Sequence, residues 1–195
     1  DLTATLNAAA DMLETSGISQ SVKKTRWNKW ARLHQEFTSN LKIKRETAVA
    51  GDFNAISVSA AVEDIMPEDT VFVDETITHF QIMRNHLSVT HPNSLYKHTV
   101  SGLGQGLGIA LGLKLGAPNR PVIVFVGDGS FLYNPITQAL GASRDHELPI
   151  IIVVMNNNGY QAMLNGHNLH YADGIQKQTE LTYGFQIEAP KFEEL

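Results

Sequence analysis

Two polar clusters in this 195-residue sequence could bind a ligand, because each directly follows an apolar run. The first cluster is Gly-Asp-Gly-Ser at 127–130, after the apolar run 121–126. The second is Asn-Asn-Asn-Gly-Tyr at 156–160, after the apolar run 149–155. One carboxylate and one or two amide oxygens, without His or Cys, are hard ligands of the kind that Mg²⁺ prefers. A single carboxylate leaves a divalent ion under-neutralised, so the clusters predict an anionic partner for the ion, most naturally a diphosphate.

The small residues of the first cluster suit such a ligand. Gly127 and Gly129 allow close approach to the backbone, and Ser130 could donate from its hydroxyl and its amide. Taken separately, each cluster is more often a tight turn. Both follow apolar strands, however, and the 26 residues between Gly129 and Asn156 are enough for one helix and a return strand. This context favours the metal-diphosphate interpretation.

The apolar runs also predict the fold that positions the two clusters. They are continuous and β-branched rather than alternating, which is typical of strands buried on both faces of a parallel sheet. Strand, helix and strand at this spacing indicate a right-handed crossover. We therefore predict an α/β, doubly wound, mostly parallel sheet with helices on both faces. Ligands of such sheets lie beyond the carboxyl ends of the strands, so the clusters should lie side by side.

Periodicity and the positions of Gly and Pro predict the remaining elements. Residues 1–50 form a helical arm that ends in a linker at 45–54, and 51–195 form the binding domain. Within that domain we expect helices at 57–65, 101–116 and 135–145, a strand at 70–74, and a loop or mobile lid at 164–177. Glycines recur every four residues at Gly104, Gly108, Gly112 and Gly116 on one helical face, which predicts close helix packing.

Composition narrows the class of protein. The net charge of −5 without a basic block argues against nucleic acid as the main partner. Absence of cysteine excludes disulfides and thiolate metal sites and fits a cytoplasmic location. The nearest candidate for a membrane span, 100–116, is shorter than the roughly 20 residues required, and the first residues lack a signal-peptide pattern. Both ends of the chain are expected to be cut from something larger.

The two clusters resemble a family signature. Gly-Asp-Gly followed by Asn-Asn a few tens of residues later is similar to the motif of thiamine-diphosphate enzymes. The region 71–160 resembles the C-terminal domain of the acetolactate synthase, benzoylformate decarboxylase and pyruvate decarboxylase group. Residues 1–45 resemble the tail of that group's central domain. The resemblance implies the thiamine-diphosphate-binding fold, with thiamine diphosphate and Mg²⁺ as cofactors.

The resemblance also implies roles for individual residues. Metal ligands would be Asp128, the side chain of Asn157 and the carbonyl of Gly159. The residues implied to bind the cofactor are Thr76, Ile77, Thr78, Gly102, Leu103, Gly127, Asp128, Gly129, Ser130, Asn157, Gly159 and Tyr160. Two of the implied roles concern catalysis: Leu103 would hold the cofactor rings in a bent shape, and the backbone carbonyl of Ser101 would accept a hydrogen bond from the aminopyrimidine. The turn Glu75-Thr76-Ile77-Thr78, here called the first turn, resembles the family's earlier phosphate-binding turn, so Thr76 and Thr78 would contact the diphosphate from the other side. A helix cap by Thr76 or Thr78 is an alternative for this turn.

The implied activity is decarboxylation or carboligation of a small 2-oxo acid. The residues expected to face this substrate are His98, Gln161, Ala162 and Met163. Pyruvate decarboxylases carry a glutamate near Met163, and herbicide-sensitive acetohydroxyacid synthases carry a tryptophan near 164–166, so both departures count against those two activities. The resemblance further implies a pyrimidine-binding domain from the same or another chain, a homodimer or homotetramer, and no activity of this chain alone.

Two other classes of function compete with this interpretation. A dinucleotide-binding oxidoreductase needs its glycine motif directly after a strand, at the start of a helix. Here the glycine-rich stretch 102–106 precedes the strand 121–126 instead, so this alternative fits poorly. A non-catalytic or split-enzyme subunit that retains the fold stays open, because intact Asp128, Asn157 and Gly159 are compatible with it.

Overall fold

The computed structural model describes residues 1–50, 53–97, 102–179, 181, 184–188 and 190–194. The chain divides into two compact units, Asp1–Thr47 and Ala48–Leu195. In the first unit, helix α1 spans Leu2–Thr15 and begins where the Asp1 side chain accepts a hydrogen bond from the amide of Thr3. The assignment of this unit as the tail of a central domain stays a prediction.

The second helix, α2, spans Gln20–Val49 and corrects the predicted linker. Residues 45–49 are helical rather than extended, because the stretch 43–49 contains neither Gly nor Pro and nothing in it interrupts the helix. Two predicted linker residues, Gly51 and Asp52, lie outside the described residues.

The second unit is built on a parallel sheet of four strands in the order β2-β1-β3-β4. The strands are β1 (Val71–Glu75), β2 (Leu95–Lys97), β3 (Val122–Gly127) and β4 (Ile151–Met155). Three of them lie close to the predicted runs. The edge strand β2 was not predicted, because three partly exposed residues are too short to show a periodicity.

Helices pack on both faces of this sheet, as predicted for a doubly wound fold. The helices of this unit are α3 (Ala55–Ile65), α4 (Phe80–His86), α5 (Gly106–Gly116), α6 (Asp128–Tyr133), α7 (Ile136–Asp145), α8 (Gln161–His170) and α9 (Ile175–Thr179), with a 3₁₀ turn at Phe192–Glu194. Alternate strand residues point to opposite faces. Val73 and Val124 therefore share one core cluster with Leu107 of α5, while Phe72 and Phe125 belong to the opposite cluster.

Two helical segments differ from the sequence prediction. Helix α5 begins at Gly106 rather than at residue 101, because Gly104 adopts a φ of +90° that a helix cannot contain. Its glycines Gly108, Gly112 and Gly116 face open space among the described residues, so the predicted close packing is not formed there.

The predicted loop at 164–177 is also wrong, since α8 and α9 occupy most of it. Ring contacts of His167 with Tyr171 at 5.1 Å and with Phe185 at 5.9 Å hold the end of α8. The loop was predicted from the polar composition of this stretch and from Gly166 and Gly174. The ring contacts that hold the helix form only in the folded chain, so the local sequence does not show them. Within the described ranges, no helix combines the length and apolar character needed to cross a bilayer.

Candidate functional site

A pocket of about 190 Å³ opens where the three longest strands end. Glu75 of β1 pairs with Val126 of β3, and Gly127 pairs with Met155 of β4, so these carboxyl ends form one edge of the sheet. The pocket is lined by Thr76, Ile77, Thr78, His79, Leu103, Gly127, Asp128, Gly129, Ser130, Met155, Asn157, Gly159, Tyr160, Gln161, Ala162 and Met163. The fold therefore brings the two polar clusters together with the first turn and the glycine-rich turn.

The set of lining residues compares closely with the residues singled out in the sequence. Gly102 is described but is not among the lining residues; its carbonyl accepts a hydrogen bond from the Gln105 side chain at 2.9 Å. Ser101 and His98 lie outside the described residues. His79 lines the pocket and was missed, although its position directly after the first turn could have indicated it.

Asp128 and Gly159 connect the two clusters directly. The Gly159 amide donates to Asp128 Oδ2 at 2.9 Å, and Asp128 is buried at the first position of α6. A side chain at position 159 would place its Cβ 2.4 Å from the carbonyl oxygen of Phe185, so this close approach requires glycine. Asp128 is thus held against the second cluster by a backbone contact that other residues at 159 would disrupt.

The side-chain oxygen of Asn157 is buried and lacks a hydrogen-bond partner among the described residues. A buried acceptor left without a partner costs about 1–3 kcal/mol. Its neighbour Asn156 differs, because Asn156 Oδ1 accepts from the Asn158 amide at 2.9 Å. Of these two asparagines, Asn157 therefore retains an acceptor for a ligand in the pocket.

The available donor set fits Mg²⁺ better than a softer metal. The pocket offers the carboxylate of Asp128 and the amide oxygen of Asn157, and the described residues contain no group of three or more His, Asp or Glu side chains able to hold a metal. Mg²⁺ is usually bound through one or two carboxylates, with neutral protein oxygens, water and phosphate oxygens completing the octahedron. The residues present therefore fit a magnesium-diphosphate ligand.

The first turn is shaped by a buried carboxylate. The amide and the hydroxyl of Thr76 both donate to Asp74 Oδ1, at 2.8 and 2.6 Å. The cap position of α4 is His79, so the alternative in which Thr76 or Thr78 caps this helix is wrong. The turn is instead closed by Asp74, which leaves Thr78 exposed beside the pocket.

The glycine-rich turn is held by Glu75 rather than left open for a phosphate. The amides of Gly104, Gln105 and Gly106 all donate to the Glu75 carboxylate, at 2.6 to 2.9 Å. In a dinucleotide-binding turn, the amides at the start of the helix receive the pyrophosphate. Because a protein carboxylate occupies them here, the dinucleotide alternative is excluded for this turn.

Tyr160 closes the pocket above the first cluster. Its ring lies so near Gly129 that a Cβ at position 129 would come within 2.7 Å of it. Burial raises the pKa of the Tyr160 phenol, with further contributions from a hydrogen bond to Tyr133 and from the charges of Tyr133 and Asp128. The phenol therefore keeps its proton and stays a hydrogen-bond donor at neutral pH.

Comparison with known proteins identifies the family. Residues 76–195 match the family described as "Thiamine pyrophosphate enzyme, C-terminal TPP binding domain". The chain belongs to this family. The match confirms the resemblance predicted from the two clusters, and with it the cofactors: C-terminal domains of thiamine pyrophosphate (thiamine diphosphate) enzymes bind this compound, with Mg²⁺ in the relatives.

Individual relatives of this thiamine diphosphate domain support the same assignment. Benzoylformate decarboxylase from Pseudomonas aeruginosa is 30% identical over 113 residues, which are 58% of this chain and 21% of that protein. Acetolactate synthase isozyme 2 large subunit from Escherichia coli is 34% identical over 121 residues, 60% of this chain and 21% of that protein. The chain thus spans about a fifth of the length of these curated relatives.

A solved structure shows the same fold. The thiamine diphosphate-dependent 4-hydroxybenzoylformate decarboxylase of Rhodococcus jostii RHA1 superposes with a TM-score of 0.62 at 27% sequence identity. The superposition covers 74% of this chain and 28% of that one. The α/β, doubly wound fold predicted from the apolar runs is therefore confirmed by both the sheet topology and this likeness.

Proposed function

We propose that this chain grips the diphosphate of thiamine diphosphate through Mg²⁺ at the edge of the sheet. The ligands from the chain would be the Asp128 carboxylate, the side-chain oxygen of Asn157 and the carbonyl of Gly159. The observation that carries the proposal is the buried Asn157 oxygen, which lacks a partner among the described residues and lines the same pocket as Asp128. A divalent cation would satisfy this oxygen and neutralise the carboxylate at the same time.

The remaining lining residues have distinct roles in the proposal. Thr78 and Ser130 would contact the diphosphate from opposite sides of the pocket. Thr76 would act mainly through its place in the turn, because its amide and hydroxyl already donate to Asp74. Ile77, Gly127, Gly129 and Tyr160 would line the cofactor, and so would Gly102, although it is not among the residues that line this pocket.

Leu103 and Ser101 would act on the cofactor rings. Leu103 lines the pocket at the base of the glycine-rich turn, where its side chain would support the bent arrangement of the rings. The carbonyl of Ser101 would accept the aminopyrimidine hydrogen bond. When bound, thiamine diphosphate supplies the electron sink for loss of CO₂ from a 2-oxo acid; this chain positions it and excludes water from one side.

The whole enzyme is proposed to be a 2-oxo acid decarboxylase or carboligase, as the names of the relatives suggest. Substrate would lie against His98, Gln161, Ala162 and Met163. The last three line the pocket, and Met163 exposes 64% of its surface, which leaves it accessible to another domain. A pyrimidine-binding domain, from the same or a partner chain in a homodimer or homotetramer, would complete the site; a cytoplasmic location stays a prediction.

Isothermal titration calorimetry with thiamine diphosphate tests the proposal. We expect binding in the presence of Mg²⁺ and at least a tenfold loss when Mg²⁺ is chelated, because the described residues that line the pocket include no Lys or Arg to neutralise a diphosphate. Asp128→Ala removes the carboxylate that the described residues contribute to the pocket lining and should abolish the metal-dependent binding. Asp145→Asn is the matched control, since this carboxylate is exposed and pairs only with the adjacent Arg144 in the described structure.

Two results would contradict the proposal. Equal affinity with and without Mg²⁺ would show that no cation bridges the carboxylate and the diphosphate. Equal loss in Asp128→Ala and Asp145→Asn would show that net charge, rather than the site, governs binding. The alternative of a non-catalytic subunit predicts the same binding. Mixing the chain with a pyrimidine-binding domain and assaying CO₂ release separates this alternative from a catalytic domain, whether the enzyme is one chain or split between two.

A further inference from the structure

Glu75 is a fully buried carboxylate whose two oxygens receive four hydrogen bonds. Oε1 accepts from the amides of Gly104 and Gln105, at 2.6 and 2.8 Å. Oε2 accepts from the amide of Gly106 at 2.9 Å and from Asn134 Nδ2 at 2.8 Å. The side chain is 1% exposed, so these contacts replace water entirely. Such charge-assisted bonds are about twice as strong as neutral ones.

Asn134 links this carboxylate to two further elements. Its side-chain nitrogen also donates to the carbonyl of Ser130 at 2.9 Å, and its side-chain oxygen accepts from the Leu107 amide at 3.1 Å. The four consecutive backbone amides of residues 104–107, which lead into α5, therefore donate to Glu75 or Asn134. Gln105, at the cap position of this helix, makes no side-chain capping bond, so the cap is supplied from β1 and from the end of α6.

The backbone next to Leu103 is closely packed on two sides. A Cβ at position 104 would come 2.4 Å from the carbonyl oxygen of Tyr133, and one at position 106 would come 2.6 Å from Glu75 Oε2. The turn is thus pressed against the carboxylate on one side and against α6 on the other. Leu103 is the residue directly before these contacts, and it is also the apolar side chain that this turn contributes to the pocket.

We propose that Glu75, with Asn134, is a positioning residue that fixes Leu103 over the cofactor site. The carboxylate fixes the position of the glycine-rich turn relative to the end of β1, where the first turn begins. It is also tied, through Asn134 and Ser130, to the segment that begins with Asp128. The proposal rests on the proposed function, because it assigns the placement of the side chain that would support the cofactor rings.

Glu75→Gln tests this role with little change in shape. The new amide would place a donor against the Gly106 amide or against two other amides, so at least one hydrogen bond becomes a repulsion. We expect the methyl groups of Leu103 to become more mobile by NMR order parameters in the chain without ligand, while those of buried Val124 stay rigid. Asn134→Ser, which removes one of the four bonds to Glu75, should give a smaller change in the same direction and serves if Glu75→Gln folds poorly.

Calorimetry then separates ring contacts from diphosphate contacts. The quantity measured is the ratio of the affinities for thiamine diphosphate and for inorganic pyrophosphate, both with Mg²⁺. We expect Glu75→Gln to lower this ratio about tenfold, the size of one lost apolar contact, and to leave the pyrophosphate affinity within about twofold. Leu103→Ala gives the full effect for reference, and Glu75→Gln with Asn134→Asp should recover part of it, because an acceptor again faces the new amide.

The outcomes are separable. If wild-type chain does not bind pyrophosphate with Mg²⁺, the proposed function fails, and the Leu103 mobility measurement alone decides the positioning role. If Glu75→Gln leaves both the mobility of Leu103 and the affinity ratio unchanged, Glu75 serves only the stability of the fold and the proposal is overturned. Equal affinity of wild type for the two ligands also overturns it, since Leu103 would then have no ring contact to position.

Discussion

Replacing Asn157 with leucine should make the ligand-free chain more stable while removing its function. The substitution deletes a buried oxygen that lacks a partner among the described residues and keeps a side chain of similar size. Relief of an unsatisfied acceptor is worth about 1–3 kcal/mol. Because Asn157 is only half-buried, we expect the lower end, about 1 kcal/mol, which corresponds to an increase in Tm of roughly 2–4 °C.

Ligand should reverse the order of stability. Saturation of wild type with Mg²⁺ and pyrophosphate at about 100 times Kd adds about 2.7 kcal/mol to its free energy of unfolding. Asn157→Leu should gain almost nothing, because one of the proposed metal ligands is gone. Wild type is therefore expected to be the less stable protein without ligand and the more stable one with it.

Hydrogen exchange at the Val124 amide measures this free energy in the relevant unit. Val124 is fully buried in the central strand β3, so its exchange reports the global opening of the second unit rather than local fraying. Asn156→Leu is the matched control. Its oxygen already accepts from the Asn158 amide at 2.9 Å, so this substitution should destabilise the chain by about 0.5–1.5 kcal/mol.

The reasoning is refuted by either of two results. Equal destabilisation by Asn157→Leu and Asn156→Leu would mean that the Asn157 oxygen carries no penalty in the ligand-free chain. A full ligand-induced increase in the stability of Asn157→Leu would mean that the oxygen is not a metal ligand.

Two further substitutions test the glycine-rich turn and the pocket wall. Gly104→Ala should lower the free energy of unfolding by about 3 kcal/mol, because of the φ of +90° and the 2.4 Å approach to the Tyr133 carbonyl oxygen. Gly108 faces open space, so Gly108→Ala should raise the free energy of unfolding by about 0.5–1 kcal/mol. Urea unfolding measures both, and equal effects would contradict the turn geometry. The raised pKa of Tyr160 means that the folded chain keeps a proton above pH 10.0, where the unfolded chain loses it. The contribution of Tyr160 to the free energy of unfolding should therefore be complete below pH 10.0 and be lost as the pH rises through the folded pKa. Tyr160→Phe should lack this loss. Parallel profiles of stability against pH for wild type and Tyr160→Phe would contradict the pKa shift.

The central part of the fold could be predicted because its signal is local. The apolar runs that became β1, β3 and β4 are continuous and need only their own residues to be recognised. Helix α8 and strand β2 could not be recognised in this way. The end of α8 is held by the rings of Tyr171 and Phe185 around His167, and β2 exists through its pairing with β1, so both depend on contacts that the local sequence does not show.

The position of the candidate site could be predicted from the sequence, but which of its polar atoms keep free hydrogen-bonding capacity could not. The resemblance implied Asn157 as the metal ligand, but the residue types of three consecutive asparagines do not by themselves show which one keeps a free acceptor. That choice follows from the turn in which Asn158 adopts a φ of 57° and donates to Asn156. His79 was missed although it directly follows the first turn, and the folded turn places it in the pocket lining.

The two carboxylates at this edge of the sheet show why strand-end position alone does not assign a role. Glu75 ends β1 and Asp128 directly follows β3, and both are buried. Glu75 receives four hydrogen bonds, so its capacity as an acceptor is used within the protein. Asp128 receives one side-chain hydrogen bond among the described residues, from Gly159, and lines the pocket. A buried carboxylate with unused hydrogen-bonding capacity is costly unless a cation or donor meets it, so the difference in hydrogen bonding supports the proposed roles of Asp128 as a metal ligand and of Glu75 as a positioning residue.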